Sequence, residues 1–138
     1  MGRAFCVFIA CLVATGCEPL ALSVAGAGAS AALGHTFNGI TYRTFTAPLP
    51  AVKRATLAAL KRMGITLEAM GTFEHGELIH AAALNRTVEI ELETVTARAT
   101  RMRVATRNGG LFYDSATAAE IVTQTEKQLE VSARADLD

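Results

Sequence analysis

Cysteine is missing from the chain beyond residue 17: Cys6, Cys11 and Cys17 are the three that 138 residues contain. Cysteines confined to one end cannot staple a fold. An excess of either charge is also missing. Thirteen basic and thirteen acidic side chains give a net charge of zero, which removes the electrostatic footprint that non-specific nucleic-acid binding requires and excludes nucleic acid as a partner. Disorder is excluded from the other side, because charged residues make up only 19% and apolar ones 51% of the chain. The length suits one domain. No apolar run is long enough to span a bilayer: after Arg3, the uncharged stretch from Ala4 to Cys17 is about 14 residues, against the ~20 a spanning helix needs. Glu18-Pro19 ends it.

One cation, a short apolar run and then Thr15-Gly16-Cys17 have the layout of a secretory signal. The small residues before the cysteine resemble a bacterial lipoprotein signal, and that resemblance implies cleavage before Cys17, acylation of its thiol and loss of Cys6 and Cys11. No free thiol then survives for catalysis or metal binding. Because one acyl chain holds only marginally, at about 10⁴ M⁻¹, several chains on Cys17 imply stable anchoring. Glu18, where an aspartate would signal inner-membrane retention, favours the outer membrane by that analogy, with the periplasmic face of the inner membrane as the alternative.

The expected organisation is a signal peptide over 1–16, lipidated Cys17 with an Ala/Gly-rich tether over 17–38, a folded domain over 39–131, and a polar tail over 132–138. Gly26, Ser30 and Gly34 recur four apart, a spacing that lets helices approach closely. A membrane-embedded or oligomerising segment is therefore a second reading of that stretch, though its apolar core of about 14 residues is short of a full span.

Within the domain, Thr41 to Thr46 alternates as a strand. Pro48 and Pro50 block its continuation. A helix is expected over Ala51 to Met63, with Val52, Thr56, Leu60 and Met63 on one stripe, closed by Gly64. Ile65, Leu67 and Ala69 then alternate as a strand running to Phe73. Glu74 to Glu77 reads as a turn with Gly76 supplying a permissive backbone, and Leu78 to Ala82 as a short third strand. Val88, Ile90 and Leu92 alternate with Glu89, Glu91 and Glu93, while Met102 and Val104 alternate with Arg101 and Arg103. That period of two predicts an antiparallel sheet with one wet face. A turn near Ala97 sets Glu93 against Arg101 and Glu91 against Arg103, each pair contributing about 0.2–1 kcal/mol. A final helix is expected from Asp114 or Ser115, or from a capping box at Thr117 to Glu120, with Ala118, Ile121, Val122, Thr125 and Leu129 turned inward. The fold class is α+β: about four antiparallel strands with two helices on one face.

Ala47-Pro48, Val52, Ala59-Leu60, Gly64-Ile65, Gly76-Glu77-Leu78-Ile79, Val88-Glu89-Ile90, Thr100 to Val104, Ala119-Glu120-Ile121 and Leu129 together resemble a family of small bacterial lipoproteins of unknown function. More distantly they are similar to the helix-grip domains in the C subunit of the outer-membrane β-barrel assembly machine. Lys53 departs from the pattern, which often has tryptophan or phenylalanine there. The resemblance implies fold and location and carries no catalytic residues.

Candidate chemistry is sparse. Glu74, His75, Glu77 and His80 are the one cluster with the ligand types of a zinc or copper site, so a small metal-binding protein or hydrolase built on the His75 turn is the alternative function. The cluster lacks helical spacing, and no metal or other cofactor is expected. Ser115 beside Asp114 reads as a helix cap, not a nucleophile. Three acids on one strand facing arginines do not make the facing pair that glycoside cleavage uses. Asn108-Gly109-Gly110 lacks the lysine and hydroxyl of a phosphate loop. The expectation is a non-enzymatic structural or interaction module of the envelope. Its partners are the membrane through the lipid anchor and an envelope protein or a second copy, the partner's strand adding at an edge such as Leu78 to Ala82 or the partner seating in a groove between the two helices.

Overall fold

The computed structural model describes residues 34–109 and 112–136. The expected signal peptide, Cys17 and nearly all of the tether lie outside the described residues. The elements run β1 Gly34–Phe37, β2 Ile40–Phe45, α1 Leu49–Arg62, β3 Thr66–Phe73, β4 Gly76–Ala83, β5 Arg86–Thr96, β6 Ala99–Asn108, β7 Phe112–Tyr113 and α2 Ser115–Ala135. The sheet is antiparallel throughout, in the order β1-β2-β6-β5-β4-β3, with β7 added to β6. The class is α+β, and where about four strands are expected the described residues form seven, two of them short. The strands without a sequence period are β1, of four residues, and β7, of two, both too short to show alternation.

β1 is joined to β2 by Asn38 and Gly39, whose φ values of +48° and +77° make the two-residue turn that Asn-Gly favours. Among the described residues the sheet reaches back to Gly34, ahead of the expected start at 39, and α2 continues to Ala135, past the expected end at 131.

α1 starts at Leu49, two residues earlier than expected, because Pro50 falls in the first turn where no intrahelical N–H is needed. At its other end Gly64 adopts φ +69°, its N–H bonds Lys61 O at 3.2 Å and Ile65 N bonds Leu60 O at 2.9 Å. These two bonds form a Schellman stop. Of the two starts open to α2, the chain uses Asp114, which accepts hydrogen bonds from Thr117 N at 3.0 Å and Thr117 Oγ1 at 2.7 Å.

Both helices lie on one face, α2 over β2 and β6 and α1 mainly over β5. The core between the layers joins Val52 and Leu60 of α1, Ile79, Val88, Ile90, Leu92, Met102 and Val104 of the sheet, and Ala118, Ile121 and Val122 of α2. Each such aliphatic side chain contributes about 1.5–3 kcal/mol by leaving water. Thr56 and Thr125, also buried, return their hydroxyls to Val52 O and Ile121 O at 2.9 Å. Lys53, where the resembled pattern has an aromatic, reaches Glu77 Oε2 at 2.7 Å.

β3 departs from simple alternation. A register shift between Leu67 and Ala69 sets Leu67 opposite Ala81, Ala69 opposite His80 and Met70 opposite Ile79. This bulge places Leu67 and Met70 on the helix-facing side and moves Ala69 to the open face, so the Ile65-Leu67-Ala69 face expected from the sequence does not form. The short strand expected at Leu78 to Ala82 is longer, Gly76–Ala83, and lies inside the sheet between β3 and β5. It is not an edge; the edge beyond it is β3.

Candidate functional site

The open face of the sheet carries the acid and arginine rows. Registration of β5 on β6 sets Glu91 opposite Arg103 and Glu93 opposite Arg101. Arg101 donates to Glu93 Oε2 from Nε at 3.0 Å and from Nη2 at 2.5 Å. Arg103 Nη1 donates to Glu91 Oε1 at 2.9 Å and to Glu89 Oε1 at 3.3 Å. Burial on its own lowers the Arg103 pKa, but hydrogen bonding with Tyr42 and the charge of Glu91, with a further bond to Glu89, outweigh it and raise the value. Its charge is therefore fixed. Two arginines thus tie up three carboxylates on an open sheet surface, an arrangement that fixes strand register and leaves no acid poised across a cleft.

The four residues of the possible metal cluster separate in space. Glu77 turns to the helix side and pairs with Lys53. His80 stands in β4 opposite Glu89, whereas Glu74 and His75 sit at the exposed β3–β4 turn, 3.7 Å from each other. No group of three or more His, Cys, Asp or Glu capable of holding a metal occurs among the described residues. The His75 peptide carbonyl has a structural task, accepting from Thr94 N at 2.9 Å.

Asp114 is the helix cap. Its carboxyl lies below the ordinary carboxylate range because the backbone N–H and then the hydroxyl of Thr117 stabilise the anion; burial opposes them, and Arg86 Nε, at 2.7 Å from Oδ2, adds a lesser lowering. Ser115 begins the helix behind it. Gly109 closes the β6 end with φ +61° and a bond from its N–H to Asn85 O at 2.9 Å.

One feature was missed in the sequence. β3 is a sheet edge whose eight residues are all exposed, among them Leu67, Met70 and Phe73. Its single charge, Glu68, sits at the bulge, so Ala69-Met70-Gly71-Thr72-Phe73 presents an uncharged edge backbone. Edges of this kind are usually blunted by charge, proline or cover. Between the helices, where the sequence offers a groove as an alternative, lies a cleft of about 510 Å³ between the N-terminal half of α1 and the C-terminal half of α2, lined by Phe45, Ala47, Ala51, Arg54, Leu129 and Glu130 among others. No helix among the described residues is long and apolar enough to cross a membrane.

Compared with known proteins, residues 2–128 match a family described as protein of unknown function (DUF3568). No curated protein matches the chain.

Proposed function

The chain belongs to that family of unknown function, and from this premise we propose that it is a membrane-anchored, periplasm-facing lipoprotein of the bacterial envelope, acting as a non-enzymatic interaction module that takes a partner's strand on β3. The observation that carries the reading is β3 itself: an eight-residue edge strand, exposed along its whole length, with Leu67, Met70 and Phe73 exposed beside an edge that no strand among the described residues pairs. Strand addition draws affinity from main-chain hydrogen bonds and selectivity from alternate side chains. On β3 those side chains are Met70 and Thr72 on the helix side and Ala69, Gly71 and Phe73 on the other.

The non-enzymatic part is supported by how the candidate acids are used. Glu89, Glu91 and Glu93 are held by arginines, Glu77 by Lys53, and Asp114 by a helix end. The anchor is supported by the sequence around Cys17, and the outer membrane by Glu18.

Fractionation of cells carrying the wild-type chain or Cys17→Ser tests the anchor. The wild type enters the membrane fraction with labelled palmitate, and the variant is unlabelled and released or unprocessed. Equal label in both sinks the anchor. Capture of the wild-type protein from envelopes tests the module. Partners are lost when Met70→Lys puts a charge on the edge, and recovery that ignores this change removes β3 from the function.

A further inference from the structure

At one end of the sheet, where β4 and β6 finish and β2, β3 and β5 begin, three large apolar side chains project into water. Leu84, in the β4–β5 turn, is 100% exposed and has φ +53°. A leucine pays for that left-handed backbone, and glycine would not. The strained turn is held from the other side: Asn85 donates its amide to Asn108 Oδ1 at 2.8 Å and its carbonyl accepts from Gly109 N at 2.9 Å. Phe112, 75% exposed, stands in β7 opposite Asn108. Tyr113 follows, half exposed, its ring 5.2 Å below the Arg107 guanidinium. The neighbouring turn makes room for it, because a Cβ on Gly39 would lie 2.3 Å from Tyr113 Cβ.

Four cations lie at this end of the molecule. Lys61 and Arg62 end α1 at the same end of the molecule, both exposed and neither in an ion pair among the described residues. Arg107 lies beside Tyr113, and Arg86 is on the first residue of β5. Of the carboxylates at this end, Asp114 is already paired with Arg86 at 2.7 Å. Glu68 lines a shallow hollow with Arg107, and Glu120, farther along α2, accepts from Gln124 at 2.7 Å.

We propose that this end docks on an anionic phospholipid surface, with Leu84 and Phe112 entering the boundary of the acyl chains and Lys61, Arg62 and Arg107 lying at headgroup level. Apolar tips sharing one end with cations such as Lys61, Arg62 and Arg107, which have no carboxylate partner among the described residues, are the chemistry by which folded domains lie on membranes, area and charge each adding to binding. Charge complementarity selects a lipid surface over a protein pocket, and the strain at Leu84 supports a role outside folding. For proximity alone the proposal rests on the Cys17 anchor. The stretch over 18–33 would extend to at most about 55 Å, more than the ~33 Å length of a ten-residue strand such as β6. With this end down, β3 begins at the bilayer and runs away from it, which leaves the Ala69 to Phe73 part of its edge accessible.

The chain contains no tryptophan, so one indole reports one position. Phe112→Trp and Val131→Trp, the latter near the far end of α2, are each placed in the acylated protein on vesicles of phosphatidylethanolamine and phosphatidylglycerol with brominated acyl chains. The expected result is blue-shifted, quenched emission from Phe112→Trp and unquenched emission from Val131→Trp. Equal emission from both, with the protein still floating on the vesicles, overturns the docking and leaves the anchor standing; failure to float overturns the anchor. Docking is then read separately with the full chain carrying Cys17→Ser, which is expected to bind phosphatidylglycerol vesicles and not phosphatidylcholine ones. Leu84→Gly, which relieves the backbone, should weaken that binding about tenfold while leaving the unfolding midpoint unchanged or raised. Binding untouched by Leu84→Gly and by Lys61→Glu with Arg62→Glu, or quenching that appears only when envelope proteins are added, contradicts a lipid surface.

Discussion

Phe73 and Gly76 meet across the β3–β4 turn so closely that a Cβ on Gly76 would lie 2.5 Å from Phe73 Cζ and 2.1 Å from the Leu92 carbonyl oxygen. Gly76 is not in the left-handed region, so the permissive backbone expected of it is not the reason for glycine. Space is. Its absent side chain lets β5 and the Phe73 ring close on the hairpin.

Gly76→Ala is therefore expected to destabilise by about 1–3 kcal/mol, the cost of forcing packed atoms apart. His75→Ala with His80→Ala should cost less than about 1 kcal/mol, as exposed or half-exposed positions do. Urea midpoints decide between them. A milder effect for Gly76→Ala than for the double histidine change would show that the hairpin yields freely.

The ion pairs across β5 and β6 should differ in strength. Arg101 is about half exposed, whereas Arg103 is mostly covered and engages two carboxylates. Arg103→Glu should lower stability by about 1–2 kcal/mol at low salt and Arg101→Glu by less, with salt reducing both losses. Equal midpoints for wild type and Arg103→Glu at low salt would remove the acid row from register setting.

At α2, Asp114→Ala removes the cap and should cost about 1–2 kcal/mol near neutral pH. The native carboxyl titrates below its unfolded value, so the stability it contributes is complete above about pH 4 and disappears as pH falls through the lower, folded value. The gap between wild type and variant in thermal melts should close on acidification. A gap independent of pH down to about 2 would assign the loss to packing.

Thr106 is fully buried, and its hydroxyl oxygen has no hydrogen-bond partner among the described residues. Thr106→Val replaces that group by a methyl of similar size. The change should leave stability unaltered or raise it by up to about 1 kcal/mol, because no bond is lost and a desolvated polar group is removed. A fall in the melting temperature would reveal a bond made by the hydroxyl.

Much of this architecture was legible because it obeys short periods. Val88-Ile90-Leu92 and Met102-Val104 alternate without interruption, and both helices carry a stripe ending in a recognisable cap or stop, Gly64 for α1 and Asp114 for α2. What was not legible depends on neighbours distant in sequence. The bulge at Glu68 interrupts the period of β3, and only pairing with His80 and Ile79 shows which side Met70 takes. That β4 is interior and β3 the edge follows from sheet order, to which alternation is blind. Asn38-Gly39 was a readable turn overlooked beside an Ala/Gly-rich stretch, while Leu84 stands where turn chemistry favours glycine and so gives no sign of its conformation.

Site-specific photocrosslinking from β3 in intact envelopes tests the interaction module most directly. A benzophenone side chain at Ala69, on the uncharged part of the edge, should yield a discrete adduct of the full-length anchored protein with an envelope partner, and Met70→Lys in the same chain should abolish it. The same probe at Thr123, exposed on α2, should give none. An anchored protein that yields no adduct from Ala69, or one that Met70→Lys leaves intact, would contradict strand addition at β3.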